Sequence, residues 1–287
     1  MMKLKLYLKT LARPALLLLS AFSILLSGCS PIKPTYKEQD IPYIIKKICK
    51  EEYNLEVTTQ RTHNTLWIYA PLNKILNKDY GLKEDKIFDE EIMEKLRNII
   101  TTIGRVLISS DDTPEFFAFL ASDIKLGIDY TMTGSVLDIK KSYADFIPWT
   151  EANRRYVIRF KVAPEAVGDT TGFHFLPYDV KMGDFLAEQI AQRVGAHFQD
   201  EELKNYFKVD KSDGKFGNGV FSFEYSISQI ALPNKPVDIR NAILDIAAYC
   251  LKTYDFNNFS GVTLTDLRTL DKFDLNKRAL LARPSGL

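Results

Sequence analysis

Three histidines, His63, His174 and His197, are the imidazoles this sequence offers for proton transfer or metal ligation. None has a second histidine at helical spacing, and no His-Glu-x-x-His run occurs, so a zincin-type site is not encoded. His63 falls in the turn-prone Thr62-His63-Asn64, His174 in the loop Gly172-Phe173-His174-Phe175, and His197 near a predicted helix end. Ser212-Asp213-Gly214-Lys215 has the Ser-x-x-Lys spacing that makes a serine nucleophile in penicillin-binding enzymes. Asp-Gly, however, reads as a turn before a strand rather than the start of a helix, and no Lys-Thr-Gly partner follows. There is no Gly-x-Ser-x-Gly elbow, phosphate loop or dinucleotide fingerprint. Carboxylates are plentiful enough to flank a glycosidic bond, but that chemistry depends on a separation the sequence does not state. No catalytic residue, cofactor or metal site is assigned.

What remains is recognition. Tyr143, Phe146, Pro148 and Trp149, then Arg154 and Arg155, lead into one predicted strand. Phe173, Phe175, Pro177 and Tyr178 follow the exit of that strand. Aromatics and arginine are enriched at interface hot spots, so these residues form the candidate partner surface.

The cysteines carry the other chemistry. Cys49 and Cys250 each lie on the apolar stripe of a predicted helix, and both are expected to be small buried hydrophobes rather than a disulfide. Cys29 is different. Lys3, Lys5, Lys9 and Arg13 precede an apolar stretch from Ala15 to Leu26, and no acid occurs before Glu38. The stretch is too short for a comfortable membrane span and ends in small residues, as a signal peptide does. Leu26-Ser27-Gly28-Cys29 resembles the lipobox of bacterial lipoproteins. The resemblance implies cleavage before Cys29, a thioether-linked diacylglycerol on its sulfur and an acyl chain on the new amino terminus. It also implies the periplasmic side of the outer membrane, because Ser30 and not aspartate follows the cysteine. Two or more acyl chains hold durably, at about 0.8 kcal/mol per buried methylene. Residues 29–37, with Pro31 and Pro34, read as a tether reaching at most ~30 Å.

Of 38 Lys and Arg against 37 Asp and Glu, residues 1–28 hold four bases and no acid, leaving 34 against 37. Such a slightly acidic chain has no electrostatic footprint for nucleic acid. The expected function is a membrane-anchored envelope lipoprotein with a binding or structural role. The alternative is a periplasm-facing hydrolase of peptidoglycan or another glycan.

Periodicity supplies the scaffold. Helices are predicted over about 39–52, 89–109, 183–197 and 237–254, and strands over 55–59, 65–69, 116–124, 128–139, 156–162, 206–209, 220–228 and 262–267. Phe221, Phe223, Tyr225 and Ile227 alternate with polar residues, as do Tyr156, Ile158, Phe160 and Val162. One-sided strands predict an α+β fold of two layers, with a mainly antiparallel or mixed sheet and amphipathic helices on one face. The globular domain is set at 38–270 and a basic tail at 271–287, read as either a short helix or a loose segment. A strand-helix-strand order recurs around Leu66–Ile124 and Val220–Leu267, with Leu120-Ala-Ser-Asp in one and Leu264-Thr-Asp in the other, and permits two similar halves.

Overall fold

Apolar residues at three- and four-residue intervals build the first two helices. α1 (Ile41–Tyr53) buries Ile41, Ile45 and Cys49 along one side. α2 (Glu90–Ile108) buries Ile92, Leu96, Ile99 and Ile103, and its N-cap Asp89 accepts the Glu91 amide at 3.1 Å. The computed structural model describes residues 34–77, 87–233 and 235–284. The lipobox-like residues Leu26, Ser27, Gly28 and Cys29 lie outside them.

Five strands, β1 (Thr58–Thr62), β2 (Thr65–Leu72), β3 (Phe116–Asp123), β4 (Ile128–Ser135) and β5 (Val157–Val162), form one sheet in that order. β2 and β3 are parallel and the other pairs antiparallel. After β4 come the short helices α3 (Val136–Tyr143) and α4 (Trp149–Asn153); after β5 comes α5 (Met182–Phe198). A second sheet takes β6 (Phe207–Gly217), β7 (Val220–Gln229), β8 (Gly261–Asp266) and β9 (Lys272–Asn276), with only β7 and β8 parallel. α6 (Ile239–Thr253) connects β7 to β8, and α7 (Lys277–Leu281) follows β9. The chain is α+β, with mixed sheets.

The two sheets share one connectivity. In each, a hairpin leads through a helix (α2 or α6) to a strand parallel to the hairpin's second member, and an antiparallel strand follows; the first sheet then adds β5. Asp123 and Asp266 end the corresponding strands, opposite Leu72 and Tyr225. Each turns the chain the same way: Asp123 Oδ1 accepts the Lys125 amide at 3.0 Å, and Asp266 Oδ1 the Arg268 amide at 2.9 Å.

The covering differs between them. β7 buries Phe221, Phe223, Tyr225 and Ile227 and leaves Ser222 and Glu224 exposed, so one face is dry. β3 is buried at every position. Leu66, Ile68, Phe117 and Phe119 join α1 and α2 on one side of the first sheet. On the other, Trp67, Phe116 and Ala118 join the core of α5, α6 and the second sheet. Helices therefore cover both faces of the first sheet, because α5 needs apolar partners on two sides.

Four segments depart from the sequence expectations. The strand predicted over 128–139 ends at Ser135, where its partner β3 begins at Phe116; the Val136 amide then donates to Glu115 O at 3.0 Å and α3 starts. β2 continues through Pro71 to Leu72, since β1 stops opposite Tyr69 and no neighbour there requires a proline N–H. Residues 211–217 extend β6 rather than turning, and the chain reverses at Asn218-Gly219, both with positive φ. The stretch from Lys272 is no tail: β9 pairs with β8, and Leu280 of α7 is fully buried.

Candidate functional site

Residues 163–181 form a strap that leaves β5 and crosses the first sheet on the face opposite α1 and α2. Its clasp is His174, whose side chain is 3% exposed. His174 Nδ1 lies 2.7 Å from Asp169 Oδ2 on the strap, and Nε2 lies 3.3 Å from Asp129 Oδ2 on β4. The ring can donate to both carboxylates at once only as the imidazolium. Asp169 Oδ1 also accepts the Thr171 and Gly172 amides, each at 2.8 Å. Burial opposes the Asp169 charge, but the His174 and Thr171 hydrogen bonds outweigh it and hold this carboxyl far below the usual range. Ser122 Oγ donates to Asp129 at 2.5 Å, and the Tyr69 hydroxyl to Asp169 O at 2.5 Å. Burial pushes the Tyr69 phenol up to about 12. With both ring nitrogens engaged and the ring almost wholly buried, His174 fastens the strap to the sheet.

The far end of the strap is held by Trp67. Its indole N–H donates to Tyr178 O at 2.7 Å, and its ring meets Phe175 at 4.5 Å and Tyr178 at 5.0 Å. Val180 N donates to Thr65 Oγ1 at 2.8 Å, which starts α5 beside β2.

A second polar cluster joins the two halves of the chain. Arg155, next to β5, meets Asp138 of α3 at 2.7 Å and Glu151 of α4 at 2.8 Å. Arg193 of α5 reaches Glu151 at 2.6 Å, and the Tyr249 hydroxyl of α6 donates to it at 3.0 Å. Tyr254 donates to Asp138. Burial, then the Asp138 charge, drives the Tyr254 phenol far above its ordinary value.

The sequence-selected residues take separate places. Tyr143 and Trp149 touch, centroids 5.2 Å apart, with Phe146 79% exposed between them in sequence and Arg154 exposed beyond. Arg155 is buried in the joint and belongs to no surface. Phe173 is 91% exposed, Phe175 lies against Trp67, and Tyr178 is half-exposed. The two aromatic groups are not brought together. Tyr143 packs on Gly104 of α2, on one face of the first sheet, whereas Phe175 and Tyr178 pack on Trp67 on the other.

The structure adds a surface at edge strand β5. Ile158, Phe160 and Val162, expected to face the core, are 40%, 47% and 74% exposed. The alternation was legible, but α1 and α2 do not extend over this strand. Leu126 and Val167 are also exposed, and Val167 approaches Gly127 beside the Val162 end, extending an apolar rim. Gln192 of α5 covers part of the edge: Ile158 N–H donates to its Oε1 at 3.0 Å, and its Nε2 donates to Ile158 O at 2.6 Å. By the two-residue period of a strand, Phe160 and Val162 direct their peptide groups the same way, beyond the reach of that amide.

Two recesses are small: one of about 60 Å³ is lined by Arg159, Tyr178, Asp179, Asp184 and Glu188, and another of about 50 Å³ by Trp67, Tyr69, Gly172 and Phe175. A third, of about 410 Å³, is an open depression on the exposed side of α2, lined by Glu90, Met93, Glu94, Arg97 and Asn98. Small-molecule sites run to roughly 300–1,000 Å³ but are concave and mostly apolar, unlike this exposed, charged helix face. Of the acids in the first recess, Glu188 is paired with Arg159 and Asp179 with Lys181, and Asp184 lines it beside them. Among the described residues no group of three or more His, Cys, Asp or Glu is placed to hold a metal ion, and no helix is long and apolar enough to cross a membrane. Asp129 and Asp169 were not singled out in the sequence; a carboxylate five residues before His174 in a loop with two glycines was the available signal. No family model, curated protein or solved structure matches this chain.

Proposed function

We propose that the chain is a lipid-anchored bacterial envelope lipoprotein, held through Cys29 to the outer membrane on its periplasmic side, whose folded part binds another envelope protein. The observation that carries the reading is the order of basic residues, apolar stretch and Leu26-Ser27-Gly28-Cys29. The fold's start supports it: Thr35 and Tyr36 N–H groups both donate to Ser109 O, at 2.8 and 3.0 Å, so the folded part begins almost at once after the anchor. The tether is therefore shorter than residues 29–37. The rim at β5 supports the binding role, as an open strand edge flanked by apolar side chains offers both backbone and side-chain recognition.

The test is the mass of the amino-terminal peptide from membranes, which should begin at Cys29 and carry diacylglycerol and an acyl chain. A peptide beginning elsewhere, or unmodified, overturns the anchor. For the binding role, a photo-crosslinker at Val162 should give one discrete adduct in cells, while the same group at Glu224 on the wet face of β7 gives none. Equal, diffuse labelling from both overturns it.

A further inference from the structure

We propose that the exposed aromatic knuckle at residues 143–149 inserts into the interface of the bilayer that carries the anchor, as a second membrane contact. The inference rests on the lipid-anchor reading. Its occupant is a lipid surface, and the argument is where the chain leaves the fold.

Pro34 is the first described residue, and Thr35 and Tyr36 are fixed to Ser109 at the C-terminal end of α2. Four residues separate Cys29 from Pro34, so Pro34 can lie no more than roughly 18 Å from the Cα of the lipid-bearing cysteine. The Tyr143 ring lies over Gly104 of the same helix, so close that a Cβ there would meet Tyr143 Cε2 at 2.7 Å. Gly104 and Ser109 are about 7.5 Å apart along the helix axis. The knuckle and the chain exit thus share one corner of the molecule, within the tether's own reach of the bilayer.

The chemistry there suits an interface. Tyr143, Phe146 and Trp149 are exposed and adjacent, and Tyr and Trp favour the headgroup level with their apolar bodies inward. Lys140, Lys141 and Arg154 flank them, and Asp145 is the exposed acid among them. The contact is therefore apolar and aromatic first, with only a small basic excess.

The chain has two tryptophans, Trp149 here and Trp67 beneath the strap, which makes the experiment direct. Full-length lipidated protein is placed in vesicles of phosphatidylethanolamine and phosphatidylglycerol, with and without brominated acyl chains, and flotation is measured alongside tryptophan emission. The proposal expects flotation, a blue shift, and loss of roughly half the emission to brominated lipid. Trp149→Phe should abolish the quenching, and Phe146→Ser should reduce it while the protein still floats. If wild-type protein floats but brominated lipid leaves its emission unchanged and Trp149 stays open to an aqueous quencher, the knuckle faces water or a protein partner. The proposal then fails while the anchor stands. If the protein does not float, both fail.

Discussion

The Gln192 side chain closes a two-bond amide pair with the backbone of Ile158, so a helix residue stands in for the missing neighbour of an edge strand. Open edges invite pairing with other chains, and this one carries apolar side chains on the same strand. Replacing Gln192 with alanine removes both bonds from a partly exposed site and should cost about 1–2 kcal/mol in urea unfolding. It should also raise self-association, read as a concentration-dependent mass by light scattering. A variant that stays monomeric across the same range as wild type would mean the edge is protected otherwise.

Arg155 and Asp138 are buried together as an ion pair at 2.7 Å. Arg155→Met should leave Asp138 uncompensated and cost about 3–5 kcal/mol, whereas Arg155→Met with Asp138→Leu should cost clearly less than the two single changes combined. Glu151 adds a pH dependence. Burial works against its charge, but hydrogen bonds from Arg155 and Arg193 prevail and lower its pKa. A carboxyl lowered on folding contributes stability that is fully present above its unfolded pKa. That stability is lost as pH falls through the folded value. Stability should therefore decline on acidification below the ordinary carboxylate range, and Glu151→Gln should flatten that part of the profile.

The His174 clasp predicts a local effect. His174→Ala removes contacts to Asp129 and Asp169 and should free the strap before the sheets unfold, at a cost of about 2–3 kcal/mol. Hydrogen exchange should rise across residues 167–176, with little change in β3 or α2. The lowered Asp169 carboxyl carries the same sign as Glu151: its contribution holds above the unfolded pKa and is lost only as pH falls through a much lower folded value. A global rather than local gain in exchange would show that the strap is no separate unit.

Much of the scaffold was legible because it is written in local periods. The α2 stripe and its Asp89 cap, the alternation of β7 and the recurrence around β2–α2–β3 and β7–α6–β8 can all be read from neighbouring residues. What depends on distant partners was not. Ile158, Phe160 and Val162 alternate like a core face, yet coverage is decided by where α1 and α2 end. Asp213-Gly214 reads as a turn, yet this glycine sits mid-strand because the α5 backbone passes there; a Cβ would lie 2.1 Å from Ala187 O. Gly214→Ala should thus cost upwards of about 3 kcal/mol or prevent folding of the second sheet. Gly217→Ala in the same strand meets nothing within 4 Å and should stay within about 1 kcal/mol of wild type. Similar losses for both, in matched urea titrations, would refute the close approach.

The two cysteines of the folded part belong to different cores, Cys49 with α2 and the first sheet, Cys250 with α5 and the second, and both are free. Burial pushes the Cys49 thiol up to about 11 and the Cys250 thiol up to about 12. The thiolate is the reactive form, so at pH 8 both should resist alkylation until the surrounding core opens. Labelling with iodoacetamide along a urea gradient, read by peptide mass, gives each half its own reporter. Because Arg155, Glu151 and Arg193 tie the halves together, the two labelling transitions should coincide in wild type. In Arg155→Met, the Cys250 and Cys49 transitions should separate, since the link between the cores is weakened while each retains its own apolar packing. Coincident transitions in that variant would mean that apolar contact between Trp67, Phe116 and α5 couples the halves without help from the buried ions.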